Sequence, residues 1–202
     1  MKTRGQIYVF SGPSGVGKST LIKKLRERIK NLGYSISHTS REPRNNEING
    51  VDYHFVERNI FNKMIKENAF VEWATVYDDL YGTSLSGLQD QVELELDVLL
   101  DLDSQGAKKI KKHFPESILI YILPPSLEVL EKRLRTRATD DDDVIDLRIK
   151  QARNELLNCE WYDYLIINND IEKALNEAAS IIVSDRCSNT RSLHKVKKII
   201  GI

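Results

Sequence analysis

Along the chain, short runs of continuous apolar residues alternate with longer stretches whose apolar positions recur every three or four residues. Residues 6–11, QIYVFS, form a β-branched and aromatic run stopped by Gly12, which predicts a buried strand. In the following stretch, KSTLIKKLRERIKNLG, Leu21, Ile22, Leu25, Ile29 and Leu32 share one helical stripe, with Gly33 as the expected stop. LDVLLDLD (96–103), SILIYIL (117–123) and YLIIN (164–168) repeat the strand pattern, and IEKALNEAASIIVSD (171–185) repeats the helical one. Strands that are apolar throughout and separated by helices predict an α/β fold, a parallel β-sheet core flanked by helices.

Three regions depart from this alternation. Residues 34–88 mix Ser, Thr, Arg, Asn, Gly and Tyr with short strand-like runs such as FVEWATVY, which predicts an inserted β-rich subdomain. Residues 135–148, RTRATDDDDVIDLR, are charged and carry no apolar stripe before Val144, so a mobile flap is expected there. The closing CSNTRSLHKVKKIIGI is read as a frayed extension.

Composition narrows the function classes. At 202 residues the chain suits one well-buried domain with insertions. Its 30 basic and 30 acidic side chains cancel, so no global field steers it to nucleic acid or an anionic membrane, and any polyanion must be held by a local cluster. Cys159 and Cys187 match neither a zinc spacing nor a redox pair. The sequence has no signal-peptide pattern and no run of eighteen apolar residues, so a cytoplasmic protein is expected.

The chemistry starts at GPSGVGKS (12–19), which fits G-x-x-x-x-G-K-[ST] in full, after a strand and at the opening of a helix. Glycines let backbone N–H groups converge on phosphate oxygens, and the helix N-terminus adds its positive dipole end. Lys18 is then expected at the β- and γ-phosphates and Ser19 on magnesium. Asp101 and Asp103 fall at a strand end, where one carboxylate is expected to join the magnesium shell; Asp103, before SQGAKKIKK, equally fits a helix N-cap. DSQG also satisfies D-x-x-G of regulatory GTPases, but their N-K-x-D motif is represented only by NNDI.

Taken with that loop, SHTSREPRNNEINGVDYHFV, FVEWA, YGT, LLDLDSQGA, ILPPS, RLRTR and IINND make the chain resemble guanylate kinase, the family that transfers a phosphoryl group from ATP to GMP, over about residues 5–185. The resemblance implies a P-loop kinase fold within residues 1–202: core 1–33, 89–134 and 159–185, GMP-binding subdomain 34–88, helical lid 135–158 and C-terminal extension 186–202. It places ATP on Gly12, Pro13, Ser14, Gly15, Val16, Gly17, Lys18, Ser19 and Thr20, with Asn168 near the adenine. It implies that Arg41, Arg44, Tyr53 and Tyr81 hold the GMP phosphate, and that Ser37, Glu72, Thr83 and Asp103 read the guanine. One carboxylate can accept from guanine N1–H and N2–H₂, while O6 needs a donor such as the Thr83 hydroxyl. Arg133, Arg137 and Arg148 match the family's catalytic arginines, to act with Lys18. Mg2+ with ATP, and a monomer or homodimer free of nucleic acid and membrane, follow by the same resemblance.

Two positions differ from the family pattern. Asn46 stands where glycine is usual ahead of the glutamate, and Asp78-Asp79 replaces a Gly-Asn pair ahead of YGT, adding negative charge near the expected acceptor phosphate. A non-catalytic guanylate-kinase-like protein-binding module is the alternative; it would be expected to have a degraded phosphate loop, whereas Lys18 and Ser19 are intact here.

Overall fold

The structure, a computed structural model, describes residues 4–44, 46–76, 78–136, 142–157 and 159–201. In chain order its elements are β1 (Ile7–Ser11), α1 (Lys18–Arg28), β2 (Leu32–Tyr34), β3 (His38–Thr39), β4 (His54–Phe55), α2 (Arg58–Lys66), β5 (Phe70–Val76), β6 (Asp79–Ser84) and α3 (Leu85–Glu93). There follow β7 (Asp97–Asp101), α4 (Ser104–His113), β8 (Ile118–Leu123), α5 (Leu127–Thr136), α6 (Asp142–Leu157), β9 (Tyr164–Ile167), α7 (Ile171–Arg186) and α8 (Asn189–Ile200). The apolar runs form a five-stranded sheet in the order β2-β7-β1-β8-β9, in which β2 with β7 and β8 with β9 pair in parallel. β1 is buried along its whole length, as a strand covered on both faces must be.

The chain divides into two compact units, one holding Phe10–Asn31 and Leu119–Ile202, the other Gly5–Val9 and Leu32–Ile118. In the first, α1 buries Leu21, Ile22 and Leu25, and α7 buries Ala174, Leu175, Ala178, Ala179 and Ile182; these two stripes pack together. Asp170 caps α7 by accepting the Lys173 N–H at 2.8 Å, and exposed pairs such as Lys24–Glu172 lace the edges. In the second unit a four-stranded sheet, β4-β3-β6-β5, has its strands between His38 and Ser84. Its apolar side rests on α2, where Phe61 stacks on Phe70 at 4.5 Å and Leu80, Met64 and Ile65 complete the cluster.

Three expectations change. The helix opened by Lys18 ends at Arg28, because Asn31 takes a left-handed turn (φ 57°) and Gly33 lies inside β2 rather than capping a helix. Much of the expected flap is regular: α5 runs to Thr136 and α6 starts at Asp142. The expected frayed extension forms α8, whose Arg191 pairs with Asp185 of α7 at 2.6 Å. No helix among the described residues is long and apolar enough to cross a membrane.

Candidate active site

In the first unit the loop from Gly12 to Gly17 delivers the chain into α1. Gly17 occupies the N-cap with φ 100° and ψ 19°, a left-handed conformation that glycine takes without strain. Gly17 has no side chain with which to cap α1, and a helix N-terminus opening on a glycine loop suits an anion. Lys18 Nζ donates to the Gly12 carbonyl at 2.7 Å, which folds it back over the loop.

Under the loop lies a brace that the sequence did not announce. Asn168, 5 % exposed at the end of β9, donates from Nδ2 to the Val16 carbonyl at 2.8 Å. A Cβ on Gly17 would come within 2.5 Å of that same nitrogen. Arg133 of α5 donates to the Val16 carbonyl at 3.3 Å and to the Asn168 carbonyl at 2.9 Å. Both residues therefore hold the shape of the loop, and Arg133 does not pair with the glutamates of its own helix. Arg148 of α6 donates to Ser14 Oγ at 3.2 Å, which joins the lid segment to the loop, while Arg137 lies outside the described residues.

The second unit gathers the other set on one face of its small sheet. The register pairs Glu72 with Thr83, Ala74 with Tyr81, Thr39 with Tyr81 and Thr39 with Phe55. Side chains alternate along strands, so Glu72, Thr83, Tyr81, Thr39 and Phe55 share a face, and continuing the register adds Ser37 and Tyr53. Tyr53 meets Tyr81 at a ring-centroid separation of 5.8 Å. Burial, then the neighbouring Tyr81 and Asp101, push the Tyr53 hydroxyl above its usual range, so it remains a donor near neutral pH. Asp79, two residues before Tyr81 on β6, falls on this face as well.

At one end of the face stands Glu72, 8 % exposed, whose Oε1 accepts the Thr83 hydroxyl at 2.7 Å. Burial raises its carboxyl above the usual range; the Thr83 bond opposes this and the Asp103 charge adds to it. Asp103 caps α4 by accepting the Gly106 N–H at Oδ1 (2.8 Å), so the capping role is realised. Gly106, the glycine of DSQG, leaves room for the carboxylate: a Cβ there would lie 3.3 Å from Glu72 Oε2. The expectation that Thr83 donates to a guanine O6 meets a difficulty, because its one hydroxyl proton is committed to Glu72 and it presents lone pairs instead.

At the other end Arg41 lies 5.6 Å from the Tyr53 ring and 5.7 Å from Phe55. Its guanidinium donates to Glu47 and to the Glu42 carbonyl, and Glu47 also accepts the backbone N–H of the exposed Arg44. These bonds, with that to Glu47 foremost, hold Arg41 firmly cationic. Asp101 closes β7 on the same unit.

Comparison with known proteins gives the family. Residues 4–185 match the family model described as guanylate kinase. A guanylate kinase of Carboxydothermus hydrogenoformans is 44% identical over 193 residues, covering 96% of this chain and 95% of that protein. One from Rickettsia felis is 45% identical, over 92% and 97% of the two chains. The crystal structure of guanylate kinase from Anaplasma phagocytophilum superposes with a TM-score of 0.78 at 33% identity, over 98% of this chain and 95% of that one.

Proposed function

The chain belongs to the guanylate kinase family, and from that premise we propose that it transfers the γ-phosphoryl group of ATP to GMP, and to dGMP, giving ADP and GDP. The observation that carries the acceptor side is the polar face of the small sheet, with a buried carboxylate at one end and a guanidinium beside the Tyr53 and Phe55 rings at the other.

On the donor side, the loop from Gly12 to Thr20, with a backbone N–H at every position but Pro13, wraps the triphosphate, and Lys18 leaves the Gly12 carbonyl for the β- and γ-phosphates. The Ser19 hydroxyl and Asp101 carboxylate are hard oxygen donors of the kind magnesium takes, and the ion would neutralise phosphate charge. Asn168 and Arg133 keep the loop in shape, while Arg148, with Arg137, supplies cations for the charge spread over the transferring group.

On the acceptor side, Arg41, Arg44, Tyr53 and Tyr81 hold the GMP phosphate. Glu72 accepts from guanine N1–H and N2–H₂, with Thr83 adding an acceptor and Asp103 another. With the Thr83 proton committed, the donor to O6 is Ser37, which comes opposite Thr83 when the β3–β6 register is continued by one residue. The GMP phosphate oxygen attacks the γ-phosphorus in line as the ADP oxygen leaves, and no side-chain base is required because the acceptor phosphate is already largely ionised. We place the reaction in the cytoplasm, in purine nucleotide metabolism. A non-catalytic binding module would have no use for a braced phosphate loop.

A coupled assay of ADP release tests this, with GMP, dGMP, AMP, UMP and no acceptor compared. We expect turnover with GMP and dGMP, and kcat/KM for AMP lower by about 10⁴-fold, because adenine leaves the buried Glu72 unpaired. Equal rates with AMP would remove the guanine assignment, and silence with every acceptor would favour the binding module.

A further inference from the structure

Glu47 has no place in the contacts assigned to either nucleotide, yet its carboxylate accepts hydrogen bonds from both arginines, from the side chain of Arg41 and the backbone of Arg44. Its Oε1 and Oε2 both accept from Arg41 Nη2, at 2.8 and 2.9 Å. Its Oε2 also accepts the Arg44 backbone N–H at 2.8 Å, and its own N–H donates to the Arg44 carbonyl at 3.0 Å. The pair is shielded, with side-chain exposures of 15% for Arg41 and 20% for Glu47. Hydrogen bonds from Arg41, then from the Arg44 backbone, hold the carboxyl below its usual range, so it is ionised at any working pH.

The geometry is specific about which donors are used. Glu47 takes Nη2 and the Glu42 carbonyl takes one N–H of Nη1 at 2.7 Å. A guanidinium has five N–H donors in a fixed plane, so anchoring it through these two edges fixes the direction of the others. Tyr53 and Phe55, themselves 5.8 Å apart, pack beside it at 5.6 and 5.7 Å. The same carboxylate ties down the Arg44 backbone, and thereby sets the turn that carries the second arginine.

We propose that Glu47 is a positioning residue for the acceptor phosphate: it aims Arg41 through the side chain and Arg44 through the backbone, without touching the nucleotide. The proposal rests on Arg41 and Arg44 being the phosphate-holding pair. The opposite role for the same contact is a placeholder anion that competes with the phosphate for Arg41. The two roles move GMP affinity in opposite directions.

The test is a double-mutant cycle in the full chain, with KM for GMP and for ATP measured for wild type, Glu47→Gln, Arg41→Met and the double variant. Glu47→Gln is expected to raise KM for GMP by about tenfold or more, the scale of a lost charge-assisted contact, while KM for ATP stays within about twofold. Glu47→Asp, which keeps the charge and shortens the reach, should fall between wild type and Glu47→Gln; it also carries the test if Glu47→Gln does not fold. Because Glu47 acts through Arg41, adding Glu47→Gln to Arg41→Met should raise KM for GMP by far less than it does in the wild type. An unchanged or lowered KM in Glu47→Gln, or effects that multiply in the double variant, would overturn the proposal. If Arg41→Met itself left KM for GMP unchanged, the phosphate assignment beneath it would fall instead.

Discussion

Glu72 sits where recognition and stability pull apart. Its folded-state carboxyl is raised above the usual range, chiefly by burial, so the folded chain binds a proton there more readily than the unfolded chain does. Stability contributed at this site therefore falls as pH rises from the ordinary carboxylate range through the raised value, and the ionised group is a burden at neutral pH. Glu72→Gln keeps an acceptor for Thr83 and removes the charge. We expect the variant to unfold at a higher temperature than wild type near pH 7.5, an advantage that vanishes as the pH is lowered through the raised value. Its KM for GMP should rise by about 10–100-fold, the scale of a lost hydrogen bond to a charged group. Thermal melts across pH with parallel kinetics check both, and no gain in melting temperature at neutral pH would refute the burial argument. At this scale the sequence was informative about types and silent about partners. Lys18 and Ser19 follow from the octapeptide, whereas Arg133 and Asn168 act on backbone carbonyls 117 and 152 residues away from their own positions, and a carbonyl has no residue signature. Glu47 stood in plain view beside Asn46, but its work depends on a turn geometry that only coordinates display.

Among the elements, β6 shows why the acceptor face is polar on one side and dry on the other. Tyr81 and Thr83 point to the face proposed to hold the nucleotide, and Gly82 between them lies over the Phe61–Phe70 stack on the opposite side. A Cβ on Gly82 would stand 2.9 Å from Phe70 Cδ1 and 3.1 Å from Phe61 Cζ. The underside also holds His38 against His54 and Phe70, with its ring pKa lowered to about 4, first by burial and then by His54. Gly82→Ala should therefore overpack this layer and cost about 1–3 kcal/mol. In a chain of this size that corresponds to a drop of about 2–4 °C in melting temperature for each kcal/mol, with KM for GMP rising as Tyr81 and Thr83 are displaced. A variant as stable as wild type would show that the aromatic stack can move aside. Strands and helices with strong periodicity were legible in the sequence, including β1, β7, β8, β9 and α7. The boundary after α1 was not, because Asn31 takes the left-handed turn expected of a glycine while Gly33 serves in a strand. α6 was hidden by the charge of its first turn, Asp142 and Asp143, which reads as a flap but also suits a helix N-terminus.

For the molecule as a whole, zero formal charge excluded a global anion-attracting field, and the residues proposed to take its place fall into two local arrangements, one in each compact unit. The residues proposed for the donor, from Gly12 to Thr20 with Arg133, Arg148 and Asn168, belong to one unit; those proposed for the acceptor, Ser37, Arg41, Arg44, Tyr53, Glu72, Tyr81, Thr83 and Asp103, belong to the other, as does Asp101, the carboxylate proposed for magnesium. No described residue of the phosphate loop is shared with the acceptor face, so each substrate should stabilise the fold through its own set of contacts. A ligand that binds only the folded chain at a hundred times its Kd adds about 2.7 kcal/mol. The melting-temperature shift produced by ATP with magnesium should disappear in Lys18→Met and survive in Arg41→Met, while the shift produced by GMP should do the reverse. Thermal melts of the two variants with each ligand alone measure this directly. If Arg41→Met abolished the ATP shift, or Lys18→Met the GMP shift, the two sets would be energetically one site, and the separate assignment of donor and acceptor residues would have to be withdrawn.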